Sequence, residues 1–378
     1  MIINSAYDVD IKINGVSILG CGNAIGVKCA IIEDIKSTIP MCNLEFYSSP
    51  DFLGKLAIVD GTPIVITLNM GEKIQQVFNF RVTKLIGKPE KNLFYYAITG
   101  LIDFYELFQS ASPYAQNSSS SDLFKNIAEK FDLYAIIHQT YDKQLWTSSE
   151  QNLGKWLTNV STHGWASNTS AMVWFLDKTK KLYYIDIDRL MLESSAPVLF
   201  SSGLTTSQNM STGMITFGSM TIETNSGDEN LFNNGYGGEN RFFSITDYKW
   251  HNFSPNKIRA SSNIININKE LSNGLEDNFC EFDMGNYHNN YFLARDQNAR
   301  ILSTYSTYFN LNCEWYHPIF LGQFATIGKQ SLSSEISVSS FNNKCFVSGI
   351  KTFIDSTNVS MHVTLCSQGY NGYSEESY

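Results

Sequence analysis

Two stretches near opposite ends of the chain share one pattern, and this imperfect repeat constrains the fold more than any other feature. FRVTKLIGKPEKNLFYYAITG runs from Phe80 to Gly100, and FVSGIKTFIDSTNVSMHVTLC runs from Phe346 to Cys366. Each predicts a strand with a central lysine (Lys84, Lys351), a polar turn that ends in asparagine (Asn92, Asn358), and a second, alternating strand. Any two hairpins can look alike. If the repeat is genuine, the chain carries two similar β-units separated by an α/β insertion.

The first hundred residues consist of short segments in which apolar and polar residues alternate. Examples are VKCAIIE, NLEFYS, PIVITLNM and NLFYYAITGLI. This spacing is typical of a small β-barrel or sandwich. The segments STYFNLNCEW, FLGQFATI, NKCFVSGIKTFI and NVSMHVTLCS return to the pattern near the other end, so β-structure is predicted there as well.

Helical spacing appears near residue 110. DLFKNIAEKF places Leu123, Phe124, Ile127, Ala128 and Phe131 on one helix face. Thr147 and Glu150 fit a capping box before a second helix that carries Leu153, Trp156, Leu157 and Val160. The hairpin AMVWFLD-KTKK-LYYIDID follows. Four of the six tryptophans fall in this region (Trp146, Trp156, Trp165 and Trp174), which predicts a compact α/β core.

The region after residue 205 is less regular. GMITFGSMTIET predicts a strand between Gly213 and Thr224, and a loop rich in glycine and asparagine runs from Ser226 to Asn240. Residues 241–286 show no clear pattern. From His288 to about Thr304 the spacing predicts an amphipathic helix with an inward face formed by Tyr291, Ala294, Ile301 and Leu302.

Composition excludes several classes of protein. A chain of 378 residues with 43% hydrophobic residues is long enough for two or more cores. The net charge is −9 without a run of lysine or arginine, which disfavours tight binding of nucleic acid. We predict no secretion signal and no membrane span. The seven cysteines lack a CxxC pair, so we expect free, mostly buried thiols in a protein made in a reducing cytosol.

Two patterns imitate ligand sites. Gly20, Gly22 and Gly26 precede the strand-like VKCAIIE rather than a helix, which favours a turn between strands over a dinucleotide site. Cys313, His317, His362 and Cys366 have the spacing of two half-sites for zinc. In strands, however, four residues span about 13 Å, too far for one metal. We therefore predict neither a cofactor nor a metal.

Asp186 and Asp188 in LYYIDID imitate the carboxylate pair of a glycan hydrolase. Two acids on the solvated face of a strand end are the ordinary interpretation. The sequence contains no GxSxG, HExxH or P-loop motif. We assign no catalytic residue and expect that the protein is not an enzyme.

The order of these parts resembles the baseplate or tail-tip hub proteins of tailed bacteriophages and the related hub portion of type VI secretion spike proteins. LWTSSEQNLGKWLTNVSTHGWA and MVWFLDKTKKLYYIDI resemble the family's inserted domain. HNNYFLARDQNARILSTYSTYFNLNCEW resembles the helix and strand that enter its second β-domain, and FVSGIKTFIDSTNVSMHVTLC resembles the last hairpin. Residues 226–286 match nothing in the family.

The resemblance implies an α+β, mainly β fold, in which an α/β domain is inserted between two β-barrel domains like those of tail tubes. On this basis residues 1–110 form the first tube-like domain and 111–205 the inserted domain. Residues 206–225 add a strand to the second β-domain, 226–304 complete the inserted domain, and 305–378 form the rest of the second β-domain with a C-terminal tail.

The function implied is that of a structural hub without catalysis. Three copies form a pseudo-sixfold ring that joins the sixfold tail tube to a threefold spike or tip, within the virion, after synthesis in the host cytoplasm. Partners are the chain itself, the tube protein, the spike or tip protein, and other baseplate proteins. DNA is met only in transit, and an acidic inner surface would let it slide. The alternatives are a carbohydrate-binding adhesin with exposed aromatic residues and, less favoured, a glycan hydrolase that uses Asp186 and Asp188.

Overall fold

The structure is a computed structural model. It describes residues 7–19, 24–70, 74–107, 115–147, 152–192, 198–201, 215–224, 240–244, 248–253, 282–283, 287–305, 307–328, 344–355 and 358–367. The predicted loop at 226–239, most of 241–286 and the C-terminal tail lie outside the described residues, as do Gly20, Gly22, Cys21, Cys280 and Glu150.

The N-terminal β-unit comprises β1 (Tyr7–Ile13), β2 (Val16–Ser17), β3 (Ile25–Asp34), β4 (Met41–Ser48), β5 (Pro63–Met70), β6 (Ile74–Glu90) and β7 (Leu93–Ile102), with a short helix α1 (Phe52–Leu56) between β4 and β5. The strands lie in the order β3-β4-β7-β6-β5-β1-β2 and pair antiparallel. The alternation seen in the sequence places one side of each strand inward: Cys42, Leu44 and Phe46 of β4 are buried. The strands predicted from the first hundred residues are confirmed.

The C-terminal β-unit comprises β13 (Val198–Ser201), β14 (Ile215–Thr224), β18 (Thr307–Cys313), β19 (Phe324–Gly328), β20 (Lys344–Asp355) and β21 (Val359–Ser367). Their order is β20-β21-β18-β14-β13-β19, and β19 pairs back with β20 to close the unit. The predicted strands are again confirmed. β13 falls inside the segment predicted as the inserted domain, yet it pairs with β14 and β19 of the large sheet.

A third unit, here called the inserted unit, follows β7 in the chain. It contains β8 (Ala115–Ser118), α2 (Ser120–Lys130), β9 (Ala135–Ile137), β10 (Gln144–Thr147), α3 (Leu153–Thr162), β11 (Met172–Leu176), β12 (Leu182–Asp186) and α4 (Ile187–Leu192). β11 and β12 form the predicted hairpin, with β9 parallel to β12. All four tryptophans of this region are buried, as the prediction of a compact core requires.

The helix predicted after residue 288 is α5 (Tyr291–Thr304), and it packs against α3 of the inserted unit. The Asn298 side chain accepts a hydrogen bond from Met172 N (3.0 Å) and donates to the carbonyls of Ser161 and Thr162. Tyr291, Ala294 and Ile301 are buried as predicted, but the prediction for Leu302 was wrong, because it is 38% exposed.

The predicted capping box was wrong as well. Asn152 is the N-cap of α3, and its side chain accepts a hydrogen bond from Lys155 N at 2.8 Å. Thr147 is the last residue of β10 instead. Asparagine caps helices as well as threonine does, and Asn152 stands directly before the apolar stripe.

The remaining described strands form a separate small sheet. β15 (Asn240–Ser244), β16 (Lys249–Phe253) and β17 (Phe282–Asp283) lie in the order β16-β15-β17.

Within the described residues no helix is long and apolar enough to span a membrane. Cys29, Cys42, Cys313, Cys345 and Cys366 are free and buried, as predicted.

Candidate assembly interface

The two β-units are joined by one strand pair, β3 with β20, into a single sheet of thirteen strands. The pairing is antiparallel and runs from Lys28 opposite Asp355 to Asp34 opposite Gly349. Eight strands therefore form one uninterrupted surface in the order β6-β7-β4-β3-β20-β21-β18-β14, four from each unit.

Each unit contains a long hairpin with a β-bulge at a corresponding place. In β6/β7 the register shifts between Val82, opposite Gly100, and Lys84, opposite Thr99. In β20/β21 it shifts between Val347, opposite Leu365, and Gly349, opposite Thr364. The extra residue is a hydroxyl residue in both, Thr83 and Ser348. A bulge re-aims a strand, so the two hairpins bend at the same point.

The register corrects one detail of the sequence repeat. Lys84 and Lys351 are not equivalent, because Lys84 lies opposite Thr99 whereas Lys351 lies opposite His362. The structural counterpart of Lys84 is Gly349. Gly349 lies two residues before Lys351, so the two lysines are out of register by two positions.

The correspondence extends to the neighbouring strands. β7 pairs with β4, and Thr99 lies opposite Asn43. β21 pairs with β18, and Thr364 lies opposite Asn310. The next strands are β3 in one unit and β14 in the other. The N-terminal unit and the C-terminal unit therefore present the same four-strand order, β6-β7-β4-β3 and β20-β21-β18-β14.

Charges on the outward face of this eight-strand surface are almost balanced. Its exposed or half-buried basic residues are Lys28, Arg81, Lys84, Lys88, Lys344 and Lys351, and its acids are Asp34, Glu45, Glu90, Asp355 and Glu223. Polar neutral residues such as Asn43, Asn310 and Thr364 lie between them. The net charge of −9 is thus not concentrated on this face. The acidic inner surface that the sequence analysis considered is not found on this sheet.

Aromatic and charged side chains interact at the β6 end of this face. The Tyr47 and Tyr95 rings lie 5.5 Å apart, and Lys88 Nζ lies 5.1 Å from the centre of the Tyr95 ring. The Glu90 carboxylate nearby raises the pKa of Tyr47, since a second negative charge there is unfavourable.

A buried ion pair holds the inserted unit against the N-terminal unit. Lys178, in the turn between β11 and β12, reaches Glu33 of β3 with Nζ 3.4 Å from Oε2, and its backbone N–H donates to Oε1 at 2.9 Å. Leu176 N also donates to Thr38 O at 2.9 Å. Burial raises the pKa of Glu33, and the charge of Lys178 opposes that rise.

The two acids considered as a catalytic pair are occupied with the backbone. Asp186 and Asp188 are both buried, so the prediction that they lie on a solvated face was wrong. β12 ends at Asp186 and α4 begins at Ile187. Asp186 Oδ1 accepts hydrogen bonds from Ala171 N (2.8 Å) and Asp188 N (3.1 Å). Burial raises the pKa of Asp186 to about 6, but its bonds to backbone N–H groups give it a structural task.

The cysteines and histidines with zinc-like spacing do not converge. Cys313 and His362 lie on neighbouring strands, but Cys366 lies opposite Tyr308, at the far end of β18. Its Sγ donates to Tyr305 O. Burial raises the pKa of Cys313 to about 12, which disfavours the thiolate that binds metal. Among the described residues no group of three potential ligands is found.

Of the glycines considered as a cofactor turn, Gly26 is the described one. It has a φ of +63° and lies in β3, where the pairing with β4 shifts between Ile25 and Lys28. Among the described residues, the strand β3 rather than a helix follows these glycines, as VKCAIIE predicts, and a dinucleotide site requires a helix N-terminus there.

Comparison with known proteins addresses the fold. No protein-family model matches the sequence, and no curated protein matches it either. Among solved structures, the tail protein from Neisseria meningitidis MC58 is 10% identical, with a TM-score of 0.54 over 96% of this chain and 97% of its own. The 43 kDa tail protein of prophage MuSo2 from Shewanella oneidensis is also 10% identical, with a TM-score of 0.54 over 95% of this chain and 98% of its own. The chain has the fold of these tail proteins.

This tail-protein fold extends over nearly the whole chain, including the inserted unit. It confirms the mainly β, α+β fold class and, at the level of fold, the resemblance to tail proteins that the order of segments suggested. Sequence reasoning did not identify the β3–β20 junction. The pair Val82-Thr83 and Val347-Ser348 marks the two bulges and could have corrected the alignment of the repeat, but it does not reveal the junction.

Proposed function

We propose that this protein is a structural hub of a bacteriophage tail or baseplate, in which three copies form a ring. The observation that carries the proposal is the repeated four-strand order joined by β3–β20 pairing within one chain. The similarity in fold to two tail proteins over almost the full length of each supports the same assignment.

The repeat supports a role in matching symmetries. A ring of three chains that each hold two similar β-units presents six similar positions to a sixfold tail tube. The inserted unit occurs once per chain, so the same ring presents three positions to a threefold spike or tip. Closed cyclic assembly is the usual form of a homo-oligomer, and the proposed partners are the tube protein, the spike or tip protein and neighbouring baseplate proteins of the virion.

The charge of the eight-strand surface suits passage of DNA. Six basic and five acidic residues lie among neutral polar residues there. A strongly basic lining would hold phosphates, whereas a nearly neutral polar one would contact DNA without retaining it. We therefore place this face toward the channel of the proposed ring.

The two alternatives receive less support. An adhesin that binds sugars through the tryptophans needs them exposed, but Trp146, Trp156, Trp165 and Trp174 are buried. A hydrolase that uses Asp186 and Asp188 needs carboxylates that reach a substrate, but both are buried and Asp186 accepts backbone N–H groups. A role without catalysis agrees best with these surroundings.

The mass of the purified chain in solution, measured by light scattering at several concentrations, tests the proposal. Three copies of 42.6 kDa predict a species of about 128 kDa. Electron microscopy of that species should show a ring with six β-lobes. A chain that stays at the monomer mass, both alone and with the tube and spike proteins of the same phage, would contradict the proposed hub.

A further inference from the structure

The sheet of the inserted unit ends at β9, and the outer edge of this strand has no described neighbour. We propose that the segment Tyr134–Ile137, here called the β9 edge, binds an extended segment of the spike or tip protein, which adds a strand to the sheet. The added segment carries apolar side chains at alternate positions and a basic residue beside the start of β9. This inference rests on the proposed hub and names the site at which its spike or tip partner binds.

The hydrogen bonds of β9 show which of its backbone groups are open. β9 pairs in parallel with β12, and on this side His138 N donates to Tyr184 O at 2.8 Å. Backbone groups alternate in direction along a strand, so the N–H and C=O groups of Ala135 and Ile137 point away from β12. Among the described residues no strand pairs with that side of β9.

The side chains of the β9 edge alternate as well. Ala135 and Ile137 pack against the core on one face of the sheet. On the other face Tyr134 is 73% exposed and Ile136 is 37% exposed. Tyr183 of β12, which lies opposite Ile136, is buried. This face of the sheet therefore changes from buried to exposed apolar side chains at β9, and one more strand would remove the Ile136 side chain from water.

The composition of the β9 edge favours a specific partner. Its sequence is YAII, without proline, glycine or a charged residue, and tyrosine and isoleucine are strong strand formers. The uncovered part of β6, Lys84–Glu90, contains a proline, a glycine and two lysines instead. Such residues discourage unspecific strand pairing. The β9 edge lacks them, which is typical of an edge to which a partner adds a strand.

A cavity of about 1130 Å³ lies at the start of β9, between the N-terminal unit and the inserted unit, and Tyr134 is part of its lining. Two of its basic residues are already engaged. Arg81 binds Asp103, and Lys181 Nζ lies 4.6 Å from the centre of the Tyr134 ring. The rest of the charged lining consists of three acids and one base: Asp60, Glu106, Asp132 and Lys180. This excess of negative charge favours a basic side chain of the partner.

The number of β9 edges fits a threefold partner. β9 belongs to the inserted unit, which occurs once in each chain. A ring of three chains therefore has three β9 edges, whereas its β-units offer six similar positions. A spike or tip with threefold symmetry can place one segment on each edge. Strand addition of this kind gives affinity through backbone hydrogen bonds and specificity through alternate side chains.

Replacement of Ala135 by proline tests the β9 edge in the full-length chain, with the purified spike or tip protein of the same phage as the probe. Proline is tolerated at a strand edge where the N–H position faces solvent, so Ala135→Pro should keep the mass and the thermal unfolding of the original chain. It should bind the probe at least about 30-fold more weakly in calorimetry, because one hydrogen bond is lost and the ring obstructs the added strand. Ala135→Ser is the matched control, since it keeps the N–H group and should keep the affinity.

Hydrogen exchange tests the same edge independently. The amides of Ala135 and Ile137 should exchange quickly in the chain alone and slowly in the complex. The His138 amide should be protected in both, because it donates to Tyr184 O. Ile136→Lys is the second variant, for use if Ala135→Pro does not fold. Its charge lies on the exposed face beside the edge and should prevent the protection of both amides.

The double variant Glu106→Gln/Asp132→Asn tests the basic residue of the partner. It removes two negative charges from the lining of the cavity, so binding of the probe should weaken about threefold at low salt and by less at high salt. An affinity that does not change overturns the placement of a basic residue in the cavity.

The outcomes distinguish this site from the proposed function. Protection of the Ala135 and Ile137 amides in the complex, together with weak binding by Ala135→Pro, supports the site. Full affinity of Ala135→Pro for the probe overturns the site and leaves the hub intact, as does a trimer that does not bind the probe. Protection of both amides as the chain alone is concentrated shows that a second copy covers the edge, which also overturns the site. A chain that stays monomeric and does not bind the probe overturns both.

Discussion

The segments Lys84–Glu90 and Gly349–Asp355 occupy the same place in two hairpins but have different surroundings. KLIGKPE has no described strand on its outer side and is exposed at six of seven positions, with Leu85 half-buried. GIKTFID is covered by β3, and its buried residues alternate with exposed ones from Ile350 onward. The same backbone register therefore supports two different side-chain patterns.

The difference shows that the surroundings of a strand edge govern its composition. The covered segment has Ile354 where the uncovered one has Pro89, and Thr352 where it has Gly87. Strand formers stabilise an edge that has a neighbour, whereas proline and lysine keep an open edge from pairing with unrelated strands. The two units can share one fold without sharing the residues that build it.

Among the substitutions that test this comparison, the exchange of Ile354 and Pro89 has the largest expected effect. Ile354→Pro should lower the free energy of unfolding by about 4 kcal/mol, because it removes a donor facing Cys29 of β3 and a buried side chain. Urea denaturation of the full chain measures this change.

The reverse substitution is the matched control. Pro89→Ile lies on the open edge, so it should change the free energy of unfolding by less than about 0.5 kcal/mol. If both substitutions had similar effects, the two edges would not differ as described.

Removal of the Leu365 side chain should have the next largest effect. Leu365 is buried, and its counterpart in the N-terminal unit is Gly100. Leu365→Ala should cost about 3 kcal/mol through the cavity that it leaves. At Gly100 a Cβ would lie 2.8 Å from Cys42 Sγ and 3.1 Å from Ile64 Cδ1, so Gly100→Ala should destabilise by crowding instead, by about 1–2 kcal/mol. Thermal unfolding of both variants checks whether a side chain fills this position in the C-terminal unit and neighbouring residues fill it in the N-terminal unit. A Gly100→Ala variant more stable than the original chain would contradict this difference.

The ion pair between β3 and the inserted unit gives the smallest of the three effects. The residue of β14 that corresponds to Glu33 is Thr224, so the C-terminal unit has no carboxylate there. Lys178→Met leaves the Glu33 carboxylate unpaired and should cost about 2 kcal/mol near neutral pH.

This loss should depend on pH, with a sign set by the raised pKa of Glu33. Without Lys178 that pKa rises further, so folded Glu33 holds a proton where the unfolded chain has released it. Stability then falls as pH rises through that window. We expect the smallest loss near pH 4, about the ordinary pKa of glutamate, and the largest at pH 8. The variant Glu33→Gln/Lys178→Met should lose the dependence, and an equal loss at both pH values would argue against a buried, paired Glu33.

Much of the fold could be predicted from local pattern. Alternation identified the hairpin strands, and the stripe through Leu123 and Ile127 identified α2. The pairing of β3 with β20 could not be predicted, since more than three hundred residues separate Cys29 from Ile354 and no local signal spans that distance. The position of β13 within the large sheet was missed for the same reason.

The positions of the side chains in the candidate site were harder to predict from the sequence pattern than the strands and helices were. A strict period of two places Asp186 and Asp188 on one side of a strand, but the chain changes from strand to helix between them, and both became buried. The bulges at Thr83 and Ser348 shift the register without changing the apolar pattern, so Lys84 and Lys351 seemed equivalent. A β-bulge or a change from strand to helix at a single residue determines which side chains face each other. The spacing of apolar residues in the sequence does not reveal such changes.

The attachment of α5 to the inserted unit has a consequence for synthesis of the chain. The Asn298 side chain bonds Met172 N, which lies 126 positions earlier. At about 5–20 residues per second on the ribosome, the inserted unit waits on the order of ten seconds for this helix to emerge. During that interval the carbonyls of Ser161 and Thr162 lack the Asn298 donor. Until that helix arrives, the nascent inserted unit therefore lacks the hydrogen bonds that Asn298 makes to it.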